Sequence, residues 1–329
     1  MKGVTLIISL VLSSVLWSKD ILIKLNPQTY QIIIQTTVEH WGIGNSEIDL
    51  FLARLSSNEY QQCKLSKIDD RGKIIHLGNA GDSCIYYDLA LGRKLEQRKK
   101  VMLQNEYILQ VADIYLDIDA IDTIYPYDHT DPNYYNYIGS DYPFIDVEQE
   151  QLIIISQSLW ESSSSILDYA EKCYLYVAKT FQYGYPLSGF KSLAFTLKNK
   201  TGDCGNLSSV FITLLRMQNI PARHLMSFRP DGSLHVWADF YMSNYGWIPV
   251  DVTYKHEYPE GDFFGNIKFE NSGFIVQRGI GHEVSALENP MRISGLQTYS
   301  YQVSYTKEEK AKVYIDRKVS CQLKSMDGR

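Results

Sequence analysis

Between residues 21 and 117 the hydrophobic positions come in short runs rich in β-branched and aromatic residues, among them 31–38, 48–55 and 107–117. Turn-forming groups separate the runs: Asn26-Pro27, Gly42-Ile43-Gly44-Asn45, Asp69-Asp70-Arg71-Gly72 and Asn79-Ala80-Gly81-Asp82. Short strands punctuated this regularly predict an antiparallel β-sandwich. The stretch 125–143, rich in tyrosine and proline, keeps no period and reads as a linker across a domain junction.

Beyond the linker the period turns helical. Ile166, Ala170, Cys173 and Val177 share one helix face, the serines at 162–165 offer an N-cap, and the helix should stop before Tyr185-Pro186. Leu207, Val210, Phe211, Leu214 and Leu215 fall at i, i+3, i+4, i+7 and i+8, so a second amphipathic helix is expected, ending near Asn219 because Pro221 follows. Segments 222–228, 234–241, 247–252, 274–278 and 299–305 read as strands, and the charged residues from Lys307 onward read as a solvated tail. The expected organisation is a leader at 1–18, a β-sandwich domain at 19–124, a linker at 125–160, an α+β domain at 161–306 and a tail at 307–329.

Composition changes this picture little. With 329 residues, 45% hydrophobic and 21% charged, the chain can bury a substantial core, and its length suits two domains. A net charge of −6 without a basic patch argues against a nucleic-acid partner. The start, Met1-Lys2 followed by an apolar run over residues 4–17 and then Lys19-Asp20, has the pattern of a secretory leader, so export to a periplasm or the extracellular space is expected. That run is too short to span a bilayer comfortably and no later stretch is long and apolar enough, so no stable membrane span is expected. There are five cysteines, and in an exported protein an odd number leaves one thiol unpaired or paired between chains. Cys63 and Cys84 lie in neighbouring strand-like segments and could bridge.

Candidate chemistry centres on Cys204, in Thr201-Gly202-Asp203-Cys204-Gly205-Asn206 just before the second helix. A sulfur there meets unpaired backbone N–H groups and the positive end of the helix dipole, which favour thiolate and could hold the oxygen of a tetrahedral acyl intermediate. Alone, a cysteine beside glycines is most often structural, so its partners decide the matter. His235 opens His235-Val236-Trp237-Ala238-Asp239-Phe240-Tyr241, where Val236, Ala238 and Phe240 should face the core and His235, Trp237 and Tyr241 the other side. The run Trp247-Ile248-Pro249-Val250-Asp251 follows after a tight turn, which makes a hairpin. An odd number of turn residues puts Asp251 on the face of His235; an even number puts it on the reverse. A thiol, an imidazole that takes and returns its proton, and a carboxylate that fixes the ring's tautomer are the parts of nucleophilic acyl transfer.

The ordered segments Gly202-Asp203-Cys204, Ile220-Pro221-Ala222-Arg223, His235 to Tyr241 and Gly246-Trp247-Ile248-Pro249-Val250-Asp251-Val252-Thr253 resemble the core of the bacterial transglutaminase-like superfamily. The resemblance covers about a third of the chain. It implies an α+β, papain-like core behind an N-terminal β-domain, a Cys, His, Asp triad carried onto Cys204, His235 and Asp251, and no cofactor. Animal cross-linking members place tryptophan after the nucleophile, whereas Gly205 stands here, so calcium-activated cross-linking is not implied. An aromatic or amide side chain often assists the oxyanion in this family; Gln182, Tyr183 and Tyr185 are the candidates, and Trp237 is expected to line the substrate groove with Trp247 in the core. The expected activity is hydrolysis of amides in a peptide or protein substrate. The alternatives are transglutamination of protein glutamines and an inactive triad in a binding or scaffold protein. Metal sites are not expected: Asp113, Asp117, Asp119 and Asp122 match no calcium loop, and Cys204, His224 and His235 lack zinc spacing, which leaves His224 a structural role.

Overall fold

The computed structural model describes residues 21–41, 44–78, 82–92, 99–184, 189–284, 291–305 and 312–324; the leader at 1–18 lies outside them. Six strands come first: β1 (Leu22–Trp41), β2 (Asn45–Ala53), β3 (Gln61–Lys67), β4 (Lys73–Leu77), β5 (Asp82–Gly92) and β6 (Lys99–Leu116). Helices α1 (Pro132–Tyr135), α2 (Glu150–Glu161) and α3 (Ile166–Thr180) follow, then β7 (Gln182–Tyr183), α4 (Leu193–Asn199), β8 (Thr201–Gly202) and α5 (Cys204–Met217). The rest comprises β9 (Ala222–Phe228), β10 (Leu234–Met242), β11 (Gly246–Val250), α6 (Val252–Glu257), α7 (Phe269–Ser272), β12 (Phe274–Arg278), β13 (His282–Val284), β14 (Met291–Ile293), β15 (Tyr299–Tyr305) and β16 (Lys312–Lys324).

Two antiparallel sheets, β16-β1-β6-β3 and β15-β2-β5-β4, form the sandwich. Inward positions alternate as the pleat requires: Ile32, Ile34 and Val38 of β1 are buried, and Val38 packs with Ile48, Leu50, Leu52, Ile85, Tyr87 and Leu103 from both sheets. Asn26-Pro27 is a bulge rather than a turn. The β1–β6 register shifts between Leu25 and Gln28, with Asn26 left-handed at φ 51°, because Pro27 has no N–H to give the ladder while the strand continues on either side.

The segment read as a solvated tail is instead the edge strand β16, paired with β1 from Lys324 opposite Thr29 to Lys312 opposite Trp41. Val313, Ile315, Arg317, Val319 and Cys321 alternate half-buried with exposed neighbours, so the tail's charges sit mostly on the outward positions of a period-two pattern. Strand β15 likewise joins the sandwich, beside β2. The N-terminal domain is therefore closed by the chain's far end. The stretch assigned to a linker contains α2, whose Leu152 and Ser156 are buried against the helical core.

The second sheet system, β11-β10-β9-β12, is antiparallel and covered on both faces. On one face α5 packs Val210, Phe211 and Leu214 in a common core with Met226, Val236, Ala238 and Phe240, and α5 is buried from Gly205 to Arg216. On the other face Leu225, Trp237, Trp247 and Ile275 pack with Tyr60 and Ile114 of the sandwich domain. Polar groups seal that junction. Arg223 meets Asp239 in a bidentate pair at 3.0 Å and reaches Glu59 at 3.1 Å, while its guanidinium stacks 3.6 Å from the Trp247 ring. Tyr60 donates to Asp239 at 3.1 Å, Arg278 pairs with Asp82 at 2.9 Å, and the Gln61 amide bonds both the N–H and the C=O of Ile275. The carboxylates of Asp239 and Glu59 outweigh the cost of burying the Arg223 guanidinium and hold it firmly charged.

Candidate active site

Three elements converge at one end of this sheet. Cys204 is the first residue of α5 and is half-buried. Asp203 caps the helix, its carboxylate accepting from the N–H groups of Asn206 (3.0 Å) and Gly205. Burial raises the Asp203 carboxyl above its ordinary value, against those hydrogen bonds and Lys191. Gly205, directly after Cys204, and Gly202, two residues before it, have no room for a side chain. A Cβ on Gly205 would lie 2.8 Å from the Phe190 ring, and one on Gly202 would lie 2.6 Å from the Asn206 Cβ. Phe190 thus occupies the space that a larger residue after the cysteine would need.

His235 lies near the start of β10, opposite Ser227 of β9. Its carbonyl accepts from the Gln297 amide (2.8 Å) and the Ser227 hydroxyl (3.1 Å), which pins the backbone that carries the ring. The hairpin to β11 pairs Met242 with Gly246 and Ala238 with Val250, so three residues, Ser243 to Tyr245, make the turn. Asn244 at φ 67° supplies the left-handed residue that such a turn needs. The count is odd, and Asp251 comes to the histidine: its Oδ2 lies 2.6 Å from His235 Nε2. Asp251 also caps α6, its Oδ1 accepting from Thr253 N–H (3.0 Å) and Tyr254 N–H (3.2 Å). Those two donors fix the carboxylate, and the carboxylate fixes the ring.

Both side chains are almost fully buried, at 3% and 1% exposure, where a neutral pair would be expected unless the charges compensate. Burial disfavours the His235 imidazolium, but Asp251, with a hydrogen bond and charge from Cys204, reverses the balance and lifts the ring to about 9. The unfolded ring titrates near 6.5, so the pair's contribution to stability is full below that pH and is lost as pH rises through about 9. With Nε2 on Asp251, Nδ1 is the nitrogen left for Cys204.

The other candidates divide. Gln182 and Tyr183 form β7, which runs parallel to β8 two residues before Cys204. Tyr183 is partly buried and lies in the electrostatic reach of Cys204; burial and that thiol push its hydroxyl up to about 12, so it remains a donor. Gln182 is exposed. Tyr185 lies outside the described residues. Trp237 does not line a groove. It is 1% exposed, its ring 5.4 Å from Tyr60, because the sandwich domain covers the face of β10 that alternation assigned to it. Trp247 is buried in the same cluster. His224 is buried on β9 with Nε2 3.0 Å from Ser209 Oγ, and burial takes it down to about 3, a neutral prop under the first turns of α5. Cys63 and Cys84 stand on strands of different sheets, and all five cysteines are free thiols. The sequence did not single out Tyr254, whose ring meets His235 edge-on at 5.4 Å and 77°. Its signal was the capping pattern, an aspartate three residues ahead of it at a helix start.

Residues 155–252, which hold this arrangement, match the model of the transglutaminase-like superfamily, and that segment is a transglutaminase-like domain. A protein from Cytophaga hutchinsonii provisionally assigned as a cysteine protease shares the fold, with a TM-score of 0.60, 12% identity, and 93% of this chain aligned to 94% of that one. The periplasmic domain of TgpA from Pseudomonas aeruginosa is also similar, with a TM-score of 0.35 and 15% identity over 68% of this chain and 88% of that one. Curated proteins gave no match. No helix among the described residues is long and apolar enough to cross a membrane.

Proposed function

We propose that the chain is an exported thiol hydrolase of peptide amides, with Cys204 as nucleophile, His235 as base and acid, and Asp251 orienting the ring. The observation that supports it best is the buried His235–Asp251 contact of 2.6 Å, set against a half-buried cysteine at a helix start. With the proton of the Cys204–His235 pair on the ring, the sulfur attacks the amide carbon and the carbonyl electron pair moves onto oxygen. The ring proton then goes to the departing nitrogen as the C–N bond breaks, which leaves a thioester and a free amine. Water repeats the sequence: the neutral ring takes its proton, the thioester C–S bond breaks, and the acid and the original thiol are restored. The backbone N–H of Cys204 and the Tyr183 hydroxyl are the donors we assign to the developing oxyanion.

One assay tests the activity and the acid. The protein is incubated with a glutamine-containing peptide and a labelled primary amine between pH 6 and 10, and the products are weighed. Hydrolysed peptide should dominate, with activity falling along an alkaline limb near pH 9, where the imidazolium needed to protonate the leaving amine is lost. Amine incorporation without hydrolysis would make the protein a transglutaminase; no product at any pH, with Cys204 as slow towards iodoacetamide as an ordinary thiol, would favour a binding protein.

A further inference from the structure

We propose that Arg229 is a positioning residue that holds Tyr254 over the His235–Asp251 hydrogen bond and keeps water from it; this rests on the reading of His235 as the proton carrier for Cys204. The hydrogen bond it protects is short, at 2.6 Å, and a competing water beside either atom would loosen it. Tyr254 touches both partners of that bond: its ring and the imidazole meet edge-on at 5.4 Å, and its own N–H binds Asp251 Oδ1. The ring cannot hold that direction by its backbone alone, since a tyrosine turns about two side-chain bonds.

Arg229 supplies the second fixed point. Its Nη2 donates to the Tyr254 hydroxyl at 2.9 Å, and the guanidinium carbon lies 5.7 Å from the Tyr254 ring. The guanidinium is itself held, with Nε donating to the Asn271 carbonyl at 2.8 Å and Nη1 to the Ser233 hydroxyl at 3.3 Å. Arg229 also begins the tight turn into β10, where its N–H binds the Ser233 carbonyl two residues before His235. Backbone and side chain therefore approach the histidine from two directions. Tyr258 stacks on the Tyr254 ring at 5.9 Å and 13°, a further restraint on that ring.

The same guanidinium lines a cleft of about 740 Å³ between the two domains, together with Tyr30 and Asp113 of the sandwich and Lys268. Both Asp113 oxygens are engaged, by the Asn26 amide and the Phe269 N–H, and Asp231 Oδ1 accepts from Ser233. The hydrogen bonds of the Arg229 side chain go to Tyr254, Asn271 and Ser233.

The test follows the His235 ring proton on Nε2 by proton NMR in the full-length protein with nitrogen-labelled histidine, for wild type, Arg229→Met, Arg229→Lys, Tyr254→Phe and the Met–Phe double variant. Arg229→Met and Tyr254→Phe should each speed exchange of that proton with water roughly three- to tenfold, the double variant no more than the worse single one, and Arg229→Lys should recover part of the loss. On a cleaved peptide the same variants should lower kcat by a similar factor with KM unchanged. An unchanged ring proton in both single variants, or effects that multiply in the double, would overturn the proposal; a loss confined to KM would make Arg229 a substrate contact instead. Because the resonance needs no turnover, a protein that cleaves nothing would sink the hydrolase reading and still decide this one.

Discussion

Replacing Cys204 by alanine is expected to lower kcat/KM for any peptide the native protein cleaves by about 10⁴-fold or more, since no other group can form the thioester. The fold should survive, because Cys204 is half-buried and helix α5 is held by Asp203 and a buried apolar face that the change leaves intact. Asp251→Asn should cost roughly 10³- to 10⁴-fold. Its amide can present a donor to Nε2, which stabilises the ring with its proton on the nitrogen that faces the sulfur. Steady-state kinetics beside a melting curve checks both: activity must fall while the melting temperature of Cys204→Ala stays close to that of the native protein. Equal activity in Cys204→Ala would remove this cysteine from the chemistry.

The second large effect concerns stability. Arg223→Met should destabilise the protein by about 3–5 kcal/mol, a large share of the roughly 5–15 kcal/mol that holds a typical domain folded. Methionine can fill much of the volume over the Trp247 ring, but Asp239, fully buried, would lose the bidentate partner that justifies its charge. Tyr60 donates to that same carboxylate and belongs to the sandwich domain, so the damage should spread to the junction. Denaturant unfolding measures this as a lower midpoint. A midpoint equal to the native one would mean that the ion pair is not what ties the two domains.

The candidate site was legible because its determinants are local. A cap and an amphipathic period place Cys204 at a helix start, and hairpin parity turns one small integer, the turn length, into the side on which Asp251 falls. Contacts between distant segments were not legible. Alternation correctly separated Trp237 from the core-facing Val236 and Ala238, yet it says nothing about what covers the second face, and Tyr60 from the other domain covers it. The tail's strand was present as an alternation of Val313, Ile315, Val319 and Cys321, masked by the charges between them. Helix α2 escaped for a different reason. Its Leu-Ile-Ile-Ile run resembles a strand, and its N-cap, Gln149, makes no side-chain cap bond that would announce a helix. Arg229 and Tyr254, 25 residues apart, meet only in the fold.

The claim on which the rest depends is that Cys204, His235 and Asp251 work as one nucleophilic unit. The direct measurement is acylation of the native protein by p-nitrophenyl acetate, quenched in acid and mapped by peptide mass. The acetyl group should appear on Cys204 well before any of Cys63, Cys84, Cys173 or Cys321, and His235→Ala should abolish that preference. Acetylation spread evenly over the thiols, or a Cys204 preference that persists in His235→Ala, would contradict it.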